Sequence, residues 1–238
     1  MNFLELARKT RQWSGTMSGT ISSVVDQIGQ AGLVVDAVAQ AWDLIQTKHS
    51  SWSWLRSEFS VNLSAVTPPT EARYTAAAFG LTRFSDWVRD RVTSSDNFRS
   101  MRLYLTATGV SDESDLQEIT WERWKTKYGR GTQTADRPTE WAVAPDLRLC
   151  LGKPPSAAYT LRGEYWKGPQ TLSANSDTPE MPSRFHMAIV WRAILLLNEK
   201  DEADQLVYAR AENKYAELMG QLERDQLPPI TIGGNPLA

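Results

Sequence analysis

The chain has a single cysteine, Cys150, and only two histidines, His49 and His186. One thiol rules out an internal disulfide, and these three side chains cannot assemble a zinc site of the usual Cys/His kind. No apolar run reaches the roughly 18 residues needed to cross a bilayer. Glu5 also stands where a signal peptide needs an uninterrupted apolar stretch, so the expectation is a protein made and assembled in the cytoplasm without a membrane partner. Glycine-rich phosphate loops are missing; Gly129-Arg130-Gly131-Thr132 is a lone fragment without the Gly-Lys-Ser/Thr that should follow. There is no His-Glu-x-x-His and no Gly-x-Ser-x-Gly. The net charge of −2 gives no bulk attraction to nucleic acid. No metal, cofactor or catalytic residue is expected.

What is present is an ordinary balance, 41% hydrophobic and 23% charged, in 238 residues. That length holds one domain or two small ones. Ten tryptophans are many for it. Several sit at helical spacing, which points to packing or a large interface ahead of carbohydrate recognition.

Residues 1–56 read as helices. Ile21, Val24, Val25 and Ile28 recur at i, i+3, i+4 and i+7, which predicts a short helix ending at Gly29. A longer one is predicted over 33–48, with Val34, Val38, Ala41, Trp42 and Ile45 as its buried stripe. At Phe59 the period changes: Phe59, Val61 and Leu63 alternate with Ser60, Asn62 and Ser64, a half-buried strand stopped by Pro68-Pro69. Further strands are predicted over 99–106, 140–144, 147–151 and 158–166, with Arg162-Gly163 marking a bulge or bend. Ser114-Asp115-Leu116-Gln117 has the form of a capping box, predicting a helix that carries Trp121, Trp124 and Tyr128 on one face and stops at Gly129. Residues 130–138 read as an exposed loop.

The last part is helical again. Pro182 suits the first turn of a helix reaching Asn198, apolar almost all round and therefore central. Asp201 and Asp204 should cap the next, over 202–224, where Val207, Ala211, Tyr215, Leu218 and Leu222 form a docking stripe. The fold class expected is α+β: a helical bundle from N- and C-terminal helices with an inserted β-rich region. Its parts are the N-terminal helices (1–56), the β-rich insertion with one helix (57–178), the C-terminal helices (179–226) and an extended tail (227–238).

Candidate reactive groups have plain structural readings. His186, between Phe185 and Met187, reads as a core histidine. His49 closes a helix, where a cation suits the macrodipole. Cys150, between Leu149 and Leu151, reads as a buried inert thiol. Charge is distributed unevenly. Residues 199–225 carry eight acids against four bases, a net of −4, whereas residues 83–102 hold Arg83, Arg89, Arg91, Arg99 and Arg102 against three aspartates.

The chain resembles the head-to-tail adaptor (connector) family of tailed bacteriophages. The likeness is carried by Asn2-Phe3-Leu4-Glu5-Leu6, residues 34–46 and Trp52-Ser53-Trp54-Leu55-Arg56. It continues in Leu147-Arg148-Leu149, Glu164-Tyr165-Trp166 and Asp177-Thr178-Pro179-Glu180-Met181-Pro182. The last stretches are Ile189-Val190-Trp191-Arg192-Ala193 and Leu222-Glu223-Arg224-Asp225-Gln226-Leu227-Pro228. The segments follow in order over nearly the whole chain, most thinly over 67–135.

The resemblance implies a structural virion protein at the head-tail junction, assembled in the host cytoplasm. It implies a dodecameric ring that binds the portal protein above and a tail-tube or nozzle protein below, while double-stranded DNA passes through without specific binding. A closed ring needs two different patches on each subunit, and Arg89, Arg91, Arg99 and Arg102 are the expected interface residues. Glu212, Glu217 and Glu223 would face the channel and repel phosphates. The tail, with Leu227, Pro228, Pro229, Ile230, Ile232 and Leu237, would dock on the portal. Two other classes compete. A peptidoglycan hydrolase would need a carboxyl group of raised pKa in a cleft, and a sugar-binding tail module would use Trp121 or Trp124.

Overall fold

The computed structural model describes residues 1–15, 20–68, 72–92, 97–198 and 205–228. In chain order the helices are α1 (Phe3–Ser14), α2 (Gly29–Thr47), α3 (Trp121–Lys127), α4 (Met187–Asn198) and α5 (Gln205–Gln226). The strands are β1 (Arg56–Leu63), β2 (Arg73–Tyr74), β3 (Phe84–Trp87), β4 (Arg91–Val92), β5 (Asn97–Phe98), β6 (Met101–Leu105) and β7 (Ser114–Asp115). Then come β8 (Gln117–Glu118), β9 (Glu140–Val143), β10 (Leu149–Leu151) and β11 (Tyr159–Lys167). The chain is mixed α+β, as expected, and divides into two compact units, residues 1–55 with 169–238 and residues 56–168.

In the first unit, α1 starts from a capping box. The Asn2 side chain accepts from the Glu5 backbone N–H at 2.9 Å, and the Glu5 carboxylate accepts from the Asn2 N–H at 3.1 Å. Gly15, at φ 69°, ends the helix in the left-handed region where a side chain is disfavoured. The stripe expected on α2 is there: Val34, Val38, Ala41, Trp42 and Ile45 are all buried. α4 is buried from Ala188 to Leu196 except at Arg192, and packs against α1, α2 and α5. The position of Pro182 shifts slightly. It caps a short 3-10 turn, Ser183–Phe185, that leads into α4.

The short helix expected to end at Gly29 does not form. Its backbone groups are claimed by other partners: the Val24 N–H donates to Asn175 Oδ1 at 2.7 Å, and the Ile21 carbonyl accepts from Arg8 Nε at 2.8 Å. Asp26 takes a positive φ of 55°. Ile21 and Val24 are buried, whereas Val25 and Ile28 stand exposed, so the four residues do not share one face. The caps Asp201 and Asp204 lie outside the described residues.

The second unit is built on β11. β1 pairs along one side of it, and β6 and β3 share the other; β7 extends the sheet beyond β6. A second sheet has the order β2-β10-β9-β8, with β8 parallel to β9, and β4 and β5 form a two-stranded ribbon. Phe59, Trp87, Met101, Leu103, Leu116, Trp141, Leu149 and Leu161 fill one core. Gly163 is not a bulge, because it keeps register with Phe59 on one side and Met101 on the other. The irregularity falls at Trp166/Lys167 instead.

The capping box at Ser114 is also overturned. Ser114–Asp115 and Gln117–Glu118 are strands, and the Leu116 N–H donates to the Met101 carbonyl at 2.9 Å. Leu116 is fully buried there. Burying that side chain in the sheet core wins over a local helix signal of about one hydrogen bond. α3 begins later, capped by Thr120, whose hydroxyl accepts from the Arg123 N–H at 3.3 Å. Trp124 and Tyr128 are buried along its inner face, and Trp121 is half-buried.

Candidate functional site

α5 is the least buried of the long elements. Over 22 residues it buries only Ala211, Met219 and Leu222, while Val207, Tyr215 and Leu218 of the expected stripe are half-buried. Leu206 is 79% exposed and Tyr208 40%. Tyr208, Glu212, Tyr215, Met219 and Glu223 line a groove of about 460 Å³ with Lys48 and Arg192. Spacings of three and four residues place these α5 side chains on one face. The groove combines phenol rings, a thioether and paired charges, a composition suited to protein contact.

The three acidic candidates on α5 part company. Glu212 and Glu223 share the groove, but Glu217 lies round the helix, paired with Lys214 at 2.9 Å. Glu223 is already engaged: its Oε1 accepts from Lys48 Nζ at 2.7 Å and lies 3.0 Å from His49 Nε2. The Lys48 and His49 hydrogen bonds hold its carboxyl below the ordinary range. His49, set edge-on to Trp52, thus ties the end of α2 to α5. Arg184 and Asp225 make a further pair near the end of α5. Of the tail candidates, Leu227 and Pro228 follow α5; Pro229, Ile230, Ile232 and Leu237 lie outside the described residues.

The four arginine candidates all have partners within their own unit. Arg99 donates to Asp90 at 2.9 Å, and Asp90 Oδ1 also accepts from the Ser100 N–H and hydroxyl. Arg89 meets Glu118 at 2.9 Å, Arg102 meets Asp115 at 3.4 Å, and the Arg91 guanidinium lies 6.0 Å from the Phe98 ring centre. Arg89 and Arg102 keep side-chain exposures of 44% and 53%, enough to reach a neighbour.

One organising residue escaped the sequence reading. Arg137, in the loop read as merely exposed, donates to both Asp112 carboxylate oxygens at 2.9 and 2.8 Å. It also donates to the Leu103 and Asp112 carbonyls and to the Ser114 hydroxyl. The Arg137 hydrogen bond and the Leu105 N–H keep Asp112 below the ordinary range. A lone arginine before a proline carries no periodicity, so nothing local marks it.

His186 is buried, with Nε2 3.0 Å from the Met181 carbonyl and Nδ1 2.7 Å from the Met1 amino nitrogen. Burial depresses its pKa. Cys150 is likewise buried. The Glu140 carboxyl is pushed up by burial, but hydrogen bonds from Lys127 at 2.8 Å and Tyr128 at 2.6 Å outweigh this and hold it low. The carboxyl groups of Asp112, Asp136, Glu140, Asp177, Glu223 and Asp225 are all held low by their hydrogen bonds, and none of these six takes the raised state a general acid needs. Nor do the described residues gather three or more potential metal ligands. None of their helices is long and apolar enough to cross a membrane.

All ten tryptophans are buried or half-buried. Trp121 and Trp124 stack with ring centres 5.2 Å apart, and Arg73 sits 4.8 Å from the Trp124 ring. One face of each ring is thus in contact with the other.

Compared with known families, residues 1–233 match the model described as SU10 adaptor protein. No curated protein matches the chain.

Proposed function

The chain belongs to the SU10 adaptor protein family, and from that membership we propose that it is a non-enzymatic virion protein joining head to tail in a tailed bacteriophage. The family match over almost the whole chain carries this reading. Copies would close into a ring, dodecameric in our reading, beneath the portal and above a tail-tube or nozzle protein, with DNA passing through the centre. We read the four long helices as a bundle into which the β-rich part is inserted.

Several features support assembly over turnover. Among the described residues α5 has most of its length and a polar-aromatic groove uncovered, as a helix awaiting a neighbour does. Arg89 and Arg102 are exposed enough to join a second patch on the next subunit. Glu212 and Glu217 are the acidic α5 side chains best exposed to a channel, whereas Glu223 has a structural role beside Lys48 and His49. In such a ring the tail from Leu227 to Ala238 would dock on the portal. Its apolar Ile230, Ile232 and Leu237 give it contact surface, and its prolines and glycines keep it from competing helix formation.

Native mass measurement on the chain alone and mixed with its portal tests this. The expected result is a portal-bound ring of many copies, and loss of portal attachment when residues 227–238 are removed from an otherwise folded chain. A chain that stays monomeric in both settings sinks the ring. Undiminished attachment of the truncated chain sinks the role of the tail.

A further inference from the structure

The groove on α5 runs toward the point where the chain leaves that helix. Steps of three and four residues lead from Tyr208 through Glu212, Tyr215, Met219 and Glu223 to Leu227, all on one side of the helix. The Leu227 N–H donates to the Glu223 carbonyl at 3.0 Å, so helical geometry holds as far as Leu227. Pro228 and Pro229 follow, and neither has an N–H to continue the ladder. The chain therefore leaves α5 at the end of its own groove.

Gly220 is part of the groove's lining, with Ala216 one turn before it. Glycine weakens a helix interior relative to alanine, and no neighbour requires it here. A Cβ on Gly220 would meet no atom of the described residues within 4 Å. A backbone passing close above the helix would account for it. The charges in the lining are balanced, Lys48 and Arg192 against Glu212 and Glu223. Lys48 bonds to Glu223 at 2.7 Å, and the Arg192 guanidinium lies 5.9 Å from the Tyr215 ring centre. Such a lining has no net pull on DNA or on an acidic helix and suits an uncharged occupant. Residues 227–238 carry no charged side chain.

We propose that residues 229–238 turn back at the two prolines and lie along α5 in this groove. The lengths agree. From Glu223 to Tyr208 the helix rises about 22 Å, and residues 231–238 reach about 26 Å when extended. Ile230 and Ile232, two positions apart, fall on one side of an extended segment and meet Met219 and Tyr215. Pro236 then reaches Tyr208, as proline-rich segments pack on aromatic grooves. In a lone subunit the tail covers the surface that α5 would offer a neighbour, until the portal takes it. That release rests on the portal docking proposed above; the docking on α5 does not.

Pulsed electron paramagnetic resonance on the full chain tests the docking. Nitroxide labels are placed at Ala209→Cys, beside the groove, and at Asn235→Cys; the native Cys150 is buried. The expected result is one narrow, short distance, unchanged when labelled chain is diluted into unlabelled chain. Gly220→Leu fills the groove and should replace that peak with a broad, longer distribution in a chain that still melts cooperatively. Ala216→Leu, on the same wall, should do the same. A broad or long distance in the parent chain overturns the proposal, as does a short peak that neither variant disturbs. So does a peak that vanishes on dilution, which would put the tail on a second copy. Added portal should lengthen the distance, and a short peak that persists in the portal-bound chain would overturn the release alone.

Discussion

Gly163 faces Met101 directly across β11 and β6, and a Cβ at Gly163 would overlap the Met101 sulfur. The same atom would come within 2.9 Å of the Phe59 ring. The glycine is therefore demanded by the close approach of two core side chains, with no need of an unusual backbone conformation. Gly163→Ala should cost about 1–3 kcal/mol by overpacking, read as a lower denaturant midpoint. In a double-mutant cycle, Met101→Ala should cost less in the Gly163→Ala background than in the parent. A Gly163→Ala chain as stable as the parent would mean that this row of the core is loosely packed.

Stability should depend on pH through His186. Burial keeps its imidazole below the ordinary range, so the folded ring stays neutral where the unfolded ring, near pH 6.5, takes up a proton. Below that point the unfolded chain binds more protons, and stability falls as pH is lowered until the folded ring also titrates. Above it this contribution is constant. His186→Gln should flatten the decline in melting temperature between pH 7 and pH 5.5. Parallel profiles for parent and variant would assign the decline to other groups.

Trp191 is the large side chain through which α4 meets α1. Its ring centre lies 5.5 Å from that of Trp13, and the Arg210 guanidinium of α5 sits 4.7 Å from the Trp13 ring and 5.8 Å from the Trp191 ring. Trp191→Ala should remove about 3–5 kcal/mol, the usual cost of truncating a buried aromatic. Thermal unfolding measures it, and an unchanged midpoint would remove α4 from the centre of its unit.

Where the sequence was legible, the signal was a long run with one period. The α2 stripe, the apolar α4, the alternation in β1 and the strands β6, β9, β10 and β11 were all visible within their own residues. It misled where a short pattern stood alone. The spacing from Ile21 to Ile28 and the Ser114–Gln117 box both have helical form, yet their backbone groups are taken by Asn175, Arg8 and Met101. Glu118, Asp90 and Asp115 become neighbours of the arginines at 89, 99 and 102 only on folding, which no local pattern shows.

The sequence by itself determined which faces are apolar, since burial of a repeating stripe is a property of adjacent residues and costs nothing to read locally. It also determined the family, through many short segments kept in order. Only the tertiary structure decided what each face and charge would meet: the hub made by Arg137, the close row Phe59-Gly163-Met101, the engaged Glu223 and the pairing of β1 with β11. Those depend on contacts between residues far apart in the chain, whose pairing follows from chain closure and packing and leaves no mark on the residues beside them.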